Sequence, residues 1–422
     1  MGIGTFVSRN SEQAKTQPRG QQKPRRNGDL ILVAVVIALA IFGLLMLYSA
    51  STDFSLQMYG APMYMFNKQV VFLIGGAVLA VVLSRIDYHA WRKYAVPLMA
   101  VTVVSLIAVL FNNQVRLGAV RSFFGGSVQP SELAKLVTVI YLSIWLYTKR
   151  EQLHEVQLGL IPLAAILGMI GGLIYLEPDL SATATIFILG GLLFFLAGGE
   201  LRQIVLFMLV ALIAGWLVVQ ISTTGRTRLA SYLAGLKDPL QSNYQILRSL
   251  GAVVQGGWFG VGIGNAGSKL TGLPVAATDS IFAVIVEELG FFGALALVVL
   301  YGTLLWRGIK IATQAPDSLG SVMAGGLTFW IVIEALINMG VMVGIFPSAG
   351  NALPFFSAGG SNLISSLAAI GILVNISRQG VKAVKPGRTV PEADIEERRS
   401  FSASLDLRRR DRRRRQSRAR RS

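Results

Sequence analysis

The chain has 422 residues, of which 53% are hydrophobic and only 14% charged, a membrane-protein balance rather than that of a soluble globule. It has no cysteine, which excludes disulfides, thiolate nucleophiles and thiolate metal sites; its two histidines, His89 and His154, lie in short charged loops and argue against a histidine-rich metal centre or a histidine-based triad. The formal net charge of +17 is concentrated in the two tails, which argues against a nucleic-acid surface.

Residues 1–29 are rich in Gln, Lys, Arg, Pro and Gly and are expected to be a disordered basic tail. No cleavable signal peptide is visible before the first apolar run. Ten apolar segments follow, at about 30–50, 69–84, 95–111, 131–148, 158–176, 181–198, 201–221, 280–306, 320–346 and 360–377. Most approach the ~20 residues of a spanning helix. The expectation is an all-α membrane domain over 30–377 with ten transmembrane helices and one large extracytoplasmic loop, 222–278, between spans seven and eight. A loop of that length in a compact domain is usually functional.

Ten spans put both tails on one side of the membrane. The tails hold more than half of the 39 basic residues, so both termini are expected in the cytoplasm. Arg85, Arg92, Lys93, Lys149, Arg150, Arg202, Arg307 and Lys310 then fall on the same inner side. Residues 378–422 form a second basic tail ending LRRRDRRRRQSRARRS. It is read as a disordered cytoplasmic segment held by anionic lipid, with docking to an acidic partner as the alternative.

Within this frame, Gln129-Pro-Ser-Glu132-Leu-Ala-Lys135 opens the fourth span. Pro130 suits a helix start, and Glu132 and Lys135 share a face. They read equally as a buried ion pair or as the wall of a polar cavity with Lys135 meeting an anion. Glu177-Pro-Asp179 makes a tight turn, with Asp179 either a helix cap or one of two paired carboxylates facing a cation or sugar hydroxyls. Gly262-Ile-Gly-Asn-Ala-Gly267 matches GxGxxG but lies between membrane helices, not in a strand–helix unit, so a dinucleotide site is rejected. Its glycines, with Gly256, Gly257 and Gly260, permit close backbone approach.

Pro274 to Gly293 is the stretch around which the rest is arranged. It begins polar, turns apolar, and carries Glu287 and Glu288 inside an apparent membrane helix, where a carboxylate costs roughly 3 kcal/mol. Asp279 stands at the polar boundary. Pro347, Gly350 and Leu353-Pro-Phe-Phe-Ser-Ala-Gly-Gly-Ser361 form an irregular segment before the last span, which needs its backbone groups satisfied by protein or a wet cavity.

These pieces together resemble the SEDS family (shape, elongation, division and sporulation) of FtsW/RodA type. The matching residues are Arg121; Gln129 to Lys135; Glu177-Pro-Asp-Leu180; Asn243-Tyr-Gln245 with Ser249; Gly256, Gly257, Gly260 and Gly262; Pro274; Thr278-Asp279; Ile281-Phe-Ala283; Glu287-Glu-Leu-Gly290; Leu353-Pro-Phe355; and Gly359-Gly-Ser361. The chain departs from the family's usual residues at Ser122, Val275, Ala277, Ser280 and Ala358, which touches substrate contacts more than chemistry.

The resemblance implies a peptidoglycan glycosyltransferase that polymerises lipid II at the outer face of the bacterial plasma membrane, for division or cell shape. Asp279 is then the expected catalytic base. Arg121, Glu132, Lys135, Asp179, Asn243, Gln245, Arg248, Ser357 and Ser361 are expected substrate-binding residues, and Glu287 and Glu288 supporting ones. Arg121, Lys135 and Arg248 are candidate cations for the pyrophosphate, with a divalent ion (Mg or Mn) as the alternative. The implied partner is a class B penicillin-binding transpeptidase, among other divisome or elongasome membrane proteins. The small residues Gly290, Gly293, Ala294, Gly325 and Gly326 mark a face where its single span could pack, internal packing being the alternative. The rival readings are a lipid II flippase and a non-catalytic division scaffold. Motifs clustered at the outer ends of spans favour outer-face chemistry over a transport path.

Overall fold

A computed structural model describes residues 28–111, 129–270, 272–274 and 276–380. The predicted tails and Arg121 therefore lie outside the described residues, apart from the last few residues before each boundary. All described residues belong to one compact unit.

That unit is helical, with no strand among the described residues. We number its helices α1 (Leu30–Tyr59), α2 (Tyr64–Leu83), α3 (Trp91–Leu110), α4 (Pro130–Thr148), α5 (Ile161–Leu176), α6 (Leu180–Leu196), α7 (Leu201–Ile221), α8 (Thr223–Lys237), α9 (Tyr244–Gly256), α10 (Ile281–Thr313), α11 (Ser318–Met342) and α12 (Gly360–Gln379). Each of the ten apolar segments falls in one of these helices. Eight helices, with their flanking turns, are long and apolar enough to cross a membrane, and α6 is a shorter apolar one.

Two boundaries differ from expectation. The first helix runs on to Tyr59, because the polar residues after 50 keep helical geometry until Gly60 ends it in the left-handed region (φ 69°). Segment 222–278, read as one long loop, contains α8 and α9. Helix α9 has an amphipathic pattern and buries Ile246, Ser249, Ala252 and Gly256.

Polarity follows position in the bundle. Helix α12 is buried over 94% of its apolar window and α7 over only 6%, so α12 is central and α7 peripheral. That is why α12 can carry Ser361, Asn362, Ser365, Ser366, Asn375 and Ser377, all buried against protein. Gly76 on α2 faces Leu367 and the backbone of Ile364; Gly371 on α12 faces the backbone of Ala80. Missing side chains thus bring α2 and α12 into close contact. Gly325 and Gly326 likewise face Leu196, and Leu193 with Val139, inside the bundle. The internal-packing alternative therefore holds for these two, and they are not a partner face.

The two chain ends of the membrane unit meet. Asp29 caps α1 through Leu32 N–H (3.0 Å), takes an ion pair from Arg307 and donates its own N–H to Ser377 Oγ (3.1 Å). Arg307, one of the residues assigned to the inner side, is buried within α10. Nearby, His89 bridges Asp87 (2.7 Å) and Asp317 (3.0 Å), and Asn375 joins Tyr88 N–H to Ser84 O. The predicted site residues that the structure describes gather toward the opposite end, at the starts of α4, α6, α10 and α12.

Candidate active site

The centre of this region is a broken helix. Gly290 departs from helical geometry (φ 68°, ψ −165°) and splits α10 into a short first part and a long second part. In an unbroken helix, Phe291 N–H would bond to Glu287 O and Phe292 N–H to Glu288 O. Here those four groups are re-paired with the glycine-rich loop. Val261 N–H and Gly262 N–H donate to the carbonyls of Glu287 (2.9 Å) and Glu288 (3.0 Å), while Phe291 and Phe292 N–H donate to Gly257 O (2.9 Å) and Trp258 O (3.3 Å). The glycines are needed for contact. A Cβ on Gly256 would strike Val286 O, one on Gly260 would strike Glu288 O, and one on Gly290 would strike the backbone of Trp258 and Gly260. Polar backbone inside a membrane helix is thereby satisfied by protein.

The paired glutamates complete this docking. Glu287 accepts from Gly267 N–H (2.7 Å), Ser268 N–H (3.1 Å) and the Ser268 hydroxyl. Glu288 accepts from Ser49 Oγ on α1 and Ala266 N–H (3.4 Å), with Lys269 Nζ at 3.4 Å. Both are fully buried. Their job here is to clamp loop 260–270.

Asp279 lies just before α10 and is half-buried. The N-cap is Ser280, which makes no side-chain capping bond. The preceding backbone is held by an irregular segment from the other side. Ser357 Oγ donates to Thr278 O (2.7 Å) and accepts from Leu353 N–H (2.7 Å), and Ala358 N–H donates to Ala277 O (2.8 Å). Phe355 in this segment is left-handed (φ 71°) and buried. Such a conformation costs a non-glycine residue about 1–3 kcal/mol and persists only where surroundings enforce it. Gly43 on α1 provides the room, since a Cβ there would strike Phe355 O, and Phe42 meets Phe356 edge-to-face at 5.2 Å.

Gln245 Nε2 donates to Ser280 Oγ (2.9 Å), whose hydroxyl donates to Pro274 O (2.8 Å). Asn243 caps α9 through Gln245 N–H (2.9 Å). Arg248 is exposed beside Tyr244 (Nε to OH 3.2 Å) and lines, with Gln255 and Ser268, a cavity of about 130 Å³.

The fourth-span motif forms a separate buried cluster. Lys135 Nζ is 2.9 Å from Glu132 and is also paired with Glu334 of α11. Asn362 Nδ2 reaches Glu132 (2.9 Å) and Glu334 (3.4 Å). Lys135 is thus not the open cation that the anion reading required. Two carboxylates already hold its ammonium, which is the ion-pair alternative with a third member added. Gln129 joins this cluster to its neighbours: its N–H donates to Ser361 Oγ (2.8 Å), and its side chain reaches Asp179 (3.3 Å). Asp179 also accepts from Ala182 N–H (3.1 Å), so it serves as the cap of α6.

Glu334, Asn338, Asn351 and Asn362 were not singled out from sequence. A lone acid inside an apolar run was the available signal for Glu334.

Among proteins of known sequence, the chain matches the family described as cell cycle protein, FTSW_RODA_SPOVE, over residues 29–382. It is 38% identical over 355 residues to a probable peptidoglycan glycosyltransferase FtsW of Trichlorobacter lovleyi, covering 83% of this chain and 93% of that protein. It is 36% identical over 356 residues to stage V sporulation protein E of Bacillus subtilis, covering 83% and 97%. Among solved structures it resembles a chain of a peptidoglycan synthase complex in which polymerization and crosslinking are coordinated (TM-score 0.70, 27% identity, 83% of this chain and 98% of that one). It also resembles the rod shape determining protein RodA of Thermus thermophilus (TM-score 0.61, 25% identity, 84% and 98%).

Proposed function

The chain belongs to the FtsW/RodA/SpoVE family of cell cycle proteins, and on that premise we propose that this helical, multi-pass membrane protein is a peptidoglycan glycosyltransferase polymerising lipid II. The observation that carries the reading is the near full-length match to relatives named as that enzyme. The convergence of Asp279, Gln245 and the Leu353–Ser361 segment at one end of the bundle supports it.

In this reading all ten apolar helices span the plasma membrane, both termini are cytoplasmic, and the site end faces outward. The 4-hydroxyl of an acceptor GlcNAc attacks C1 of a donor MurNAc, with inversion. Undecaprenyl pyrophosphate leaves as a stabilised anion, so the demand is for a base and for positive charge, less for a strong acid. Asp279 takes the hydroxyl proton. Arg248, exposed at the cavity, and Arg121 meet the pyrophosphate; Lys135, already paired twice, does not. Asp179, Gln245, Ser357 and Ser361 shape the walls through the bonds given above, and Asn243 acts through the start of α9. Among the described residues no three acidic or histidine side chains converge as a metal-ligand set. A class B penicillin-binding transpeptidase is the proposed partner, against the exposed flank of α10 at Phe291, Phe292, Leu295 and Val299.

The test is Asp279→Asn in purified, reconstituted protein, with lipid II polymer and lipid II transbilayer movement scored separately. Polymer formation is expected to be lost with folding intact. Polymerisation at the parent rate would move the base elsewhere, and transport without polymer from the parent protein would replace the enzyme reading with a flippase.

A further inference from the structure

The backbone that carries Asp279 is fixed from α11. Asn338, 1% exposed, donates from its amide nitrogen to Asp279 O at 2.8 Å and to Asn351 O at 2.6 Å. Both hydrogens of one amide are thereby engaged. Ala277, Thr278 and Asp279 each give a carbonyl to a partner outside their own segment, namely Ala358 N–H, Ser357 Oγ and Asn338. The first two partners belong to an irregular segment. Asn338 ties this stretch to a long, largely buried helix. Glu334, which holds Lys135, lies four residues before Asn338 on the same helix face. One helix therefore references both the backbone of Asp279 and the buried charge cluster.

We propose that Asn338 is a positioning residue for Asp279. It touches no reacting atom; it fixes the residue that bears the carboxylate against the Asn351 turn. The inference rests on Asp279 being the base, as read above. Misplacing a reacting group by about 1 Å can cost on the order of 100-fold in rate, and loss of Asn338 removes both ties at once.

The experiment compares Asn338→Leu, Asp279→Asn and Asn375→Leu in the full-length protein, measuring kcat and KM for lipid II together with thermal stability. Asn375 is an equally buried asparagine, 5% exposed, that donates to Ser84 O at the opposite end of the bundle, so it reports the purely structural cost of losing such an amide. Asn338→Leu is expected to lower kcat about 100-fold with KM little changed, while Asn375→Leu lowers stability comparably and keeps its turnover. Parent turnover in Asn338→Leu beside a dead Asp279→Asn overturns the positioning role alone. An active Asp279→Asn overturns the base assignment on which it rests. Equal loss of kcat in Asn375→Leu also overturns the proposal, because the effect would then be general destabilisation. If Asn338→Leu does not accumulate, Asn338→Ser, too short to reach both carbonyls, is read against the same outcomes.

Discussion

Replacing Lys135 with Met removes the cation from a cluster whose other charged members, among the described residues, are carboxylates. Glu132 is 7% exposed and Glu334 1%, and the amide of Asn362 donates to both. Removing one partner from a buried ion pair costs about 3–5 kcal/mol, because the survivor is left uncompensated. Here two acids survive, so Lys135→Met should fall at or above the upper part of that range. Glu334→Gln differs in kind. It leaves Lys135 and Glu132 as a one-to-one pair at 2.9 Å, and the glutamine oxygen can still accept from the ammonium. Its cost should be about 1 kcal/mol, that of an ordinary hydrogen bond. The assay is the temperature at which detergent-solubilised protein loses monodispersity, measured side by side with KM for lipid II. The ordering expected is Lys135→Met far below Glu334→Gln and the parent. A Lys135→Met protein as stable as Glu334→Gln, but with a raised KM, would refute the reasoning and restore Lys135 as an anion-binding cation.

Gly290→Ala places a Cβ against the backbone of Trp258 and Gly260 at a φ of 68°. It should therefore break the four re-paired hydrogen bonds at the helix interruption, seen as rapid protease cleavage within loop 257–270, whereas Gly302→Ala, with open space around it, should leave that loop protected. At the other end of the bundle, partial burial pushes the Asp87 carboxyl up, but the N–H and ring of His89 and the Gln379 amide together hold it below the usual carboxylate range. A depressed folded-state value means stability that is present above the free value, about 3.9, and lost as pH falls through the lower folded value. Asp87→Asn should flatten the fall in thermal stability below about pH 4, and an unchanged slope would count against the His89 bridge.

The apolar helices were legible because a run of apolar residues near bilayer length admits few other structures. The two helices inside 222–278 were missed for the converse reason. Helix α8 has a slightly polar average composition, and α9 is only 13 residues long, so neither registers as an apolar run. In the site, Glu287, Glu288 and the glycines stood out because each violates the composition around it. Their pairing did not, since the bond from Val261 to Glu287 joins residues 26 positions apart, and no local pattern encodes that. For Lys135 the pairing with Glu132, three residues away, was legible, whereas the one with Glu334, 199 residues away, was not. Asn338 was invisible because an asparagine amid apolar residues has many possible uses, and only the approach of Asp279 O and Asn351 O selects one.

The same long-range contacts bear on what Asp279 can be. From sequence, an aspartate before an apolar run is first of all a helix cap, worth about 1 kcal/mol. The structure gives that position to Ser280 and forms no side-chain cap there, while Ala277, Thr278 and Asp279 are held by their carbonyls. A residue held by its backbone carbonyl keeps that tie when its side chain is exchanged for one of the same shape. Asn at 279 should then preserve every main-chain bond that defines the site, and a folded, partner-binding, inactive Asp279→Asn protein would isolate the carboxylate itself. Such a separation of scaffold from chemistry is what a pre-organised base requires. It is also why Asn338, which acts on the scaffold, and Asp279, which acts on the proton, should share a loss of turnover yet differ in one respect: shifting pH cannot restore a missing carboxylate, whereas a displaced one should keep the parent pH profile at reduced amplitude.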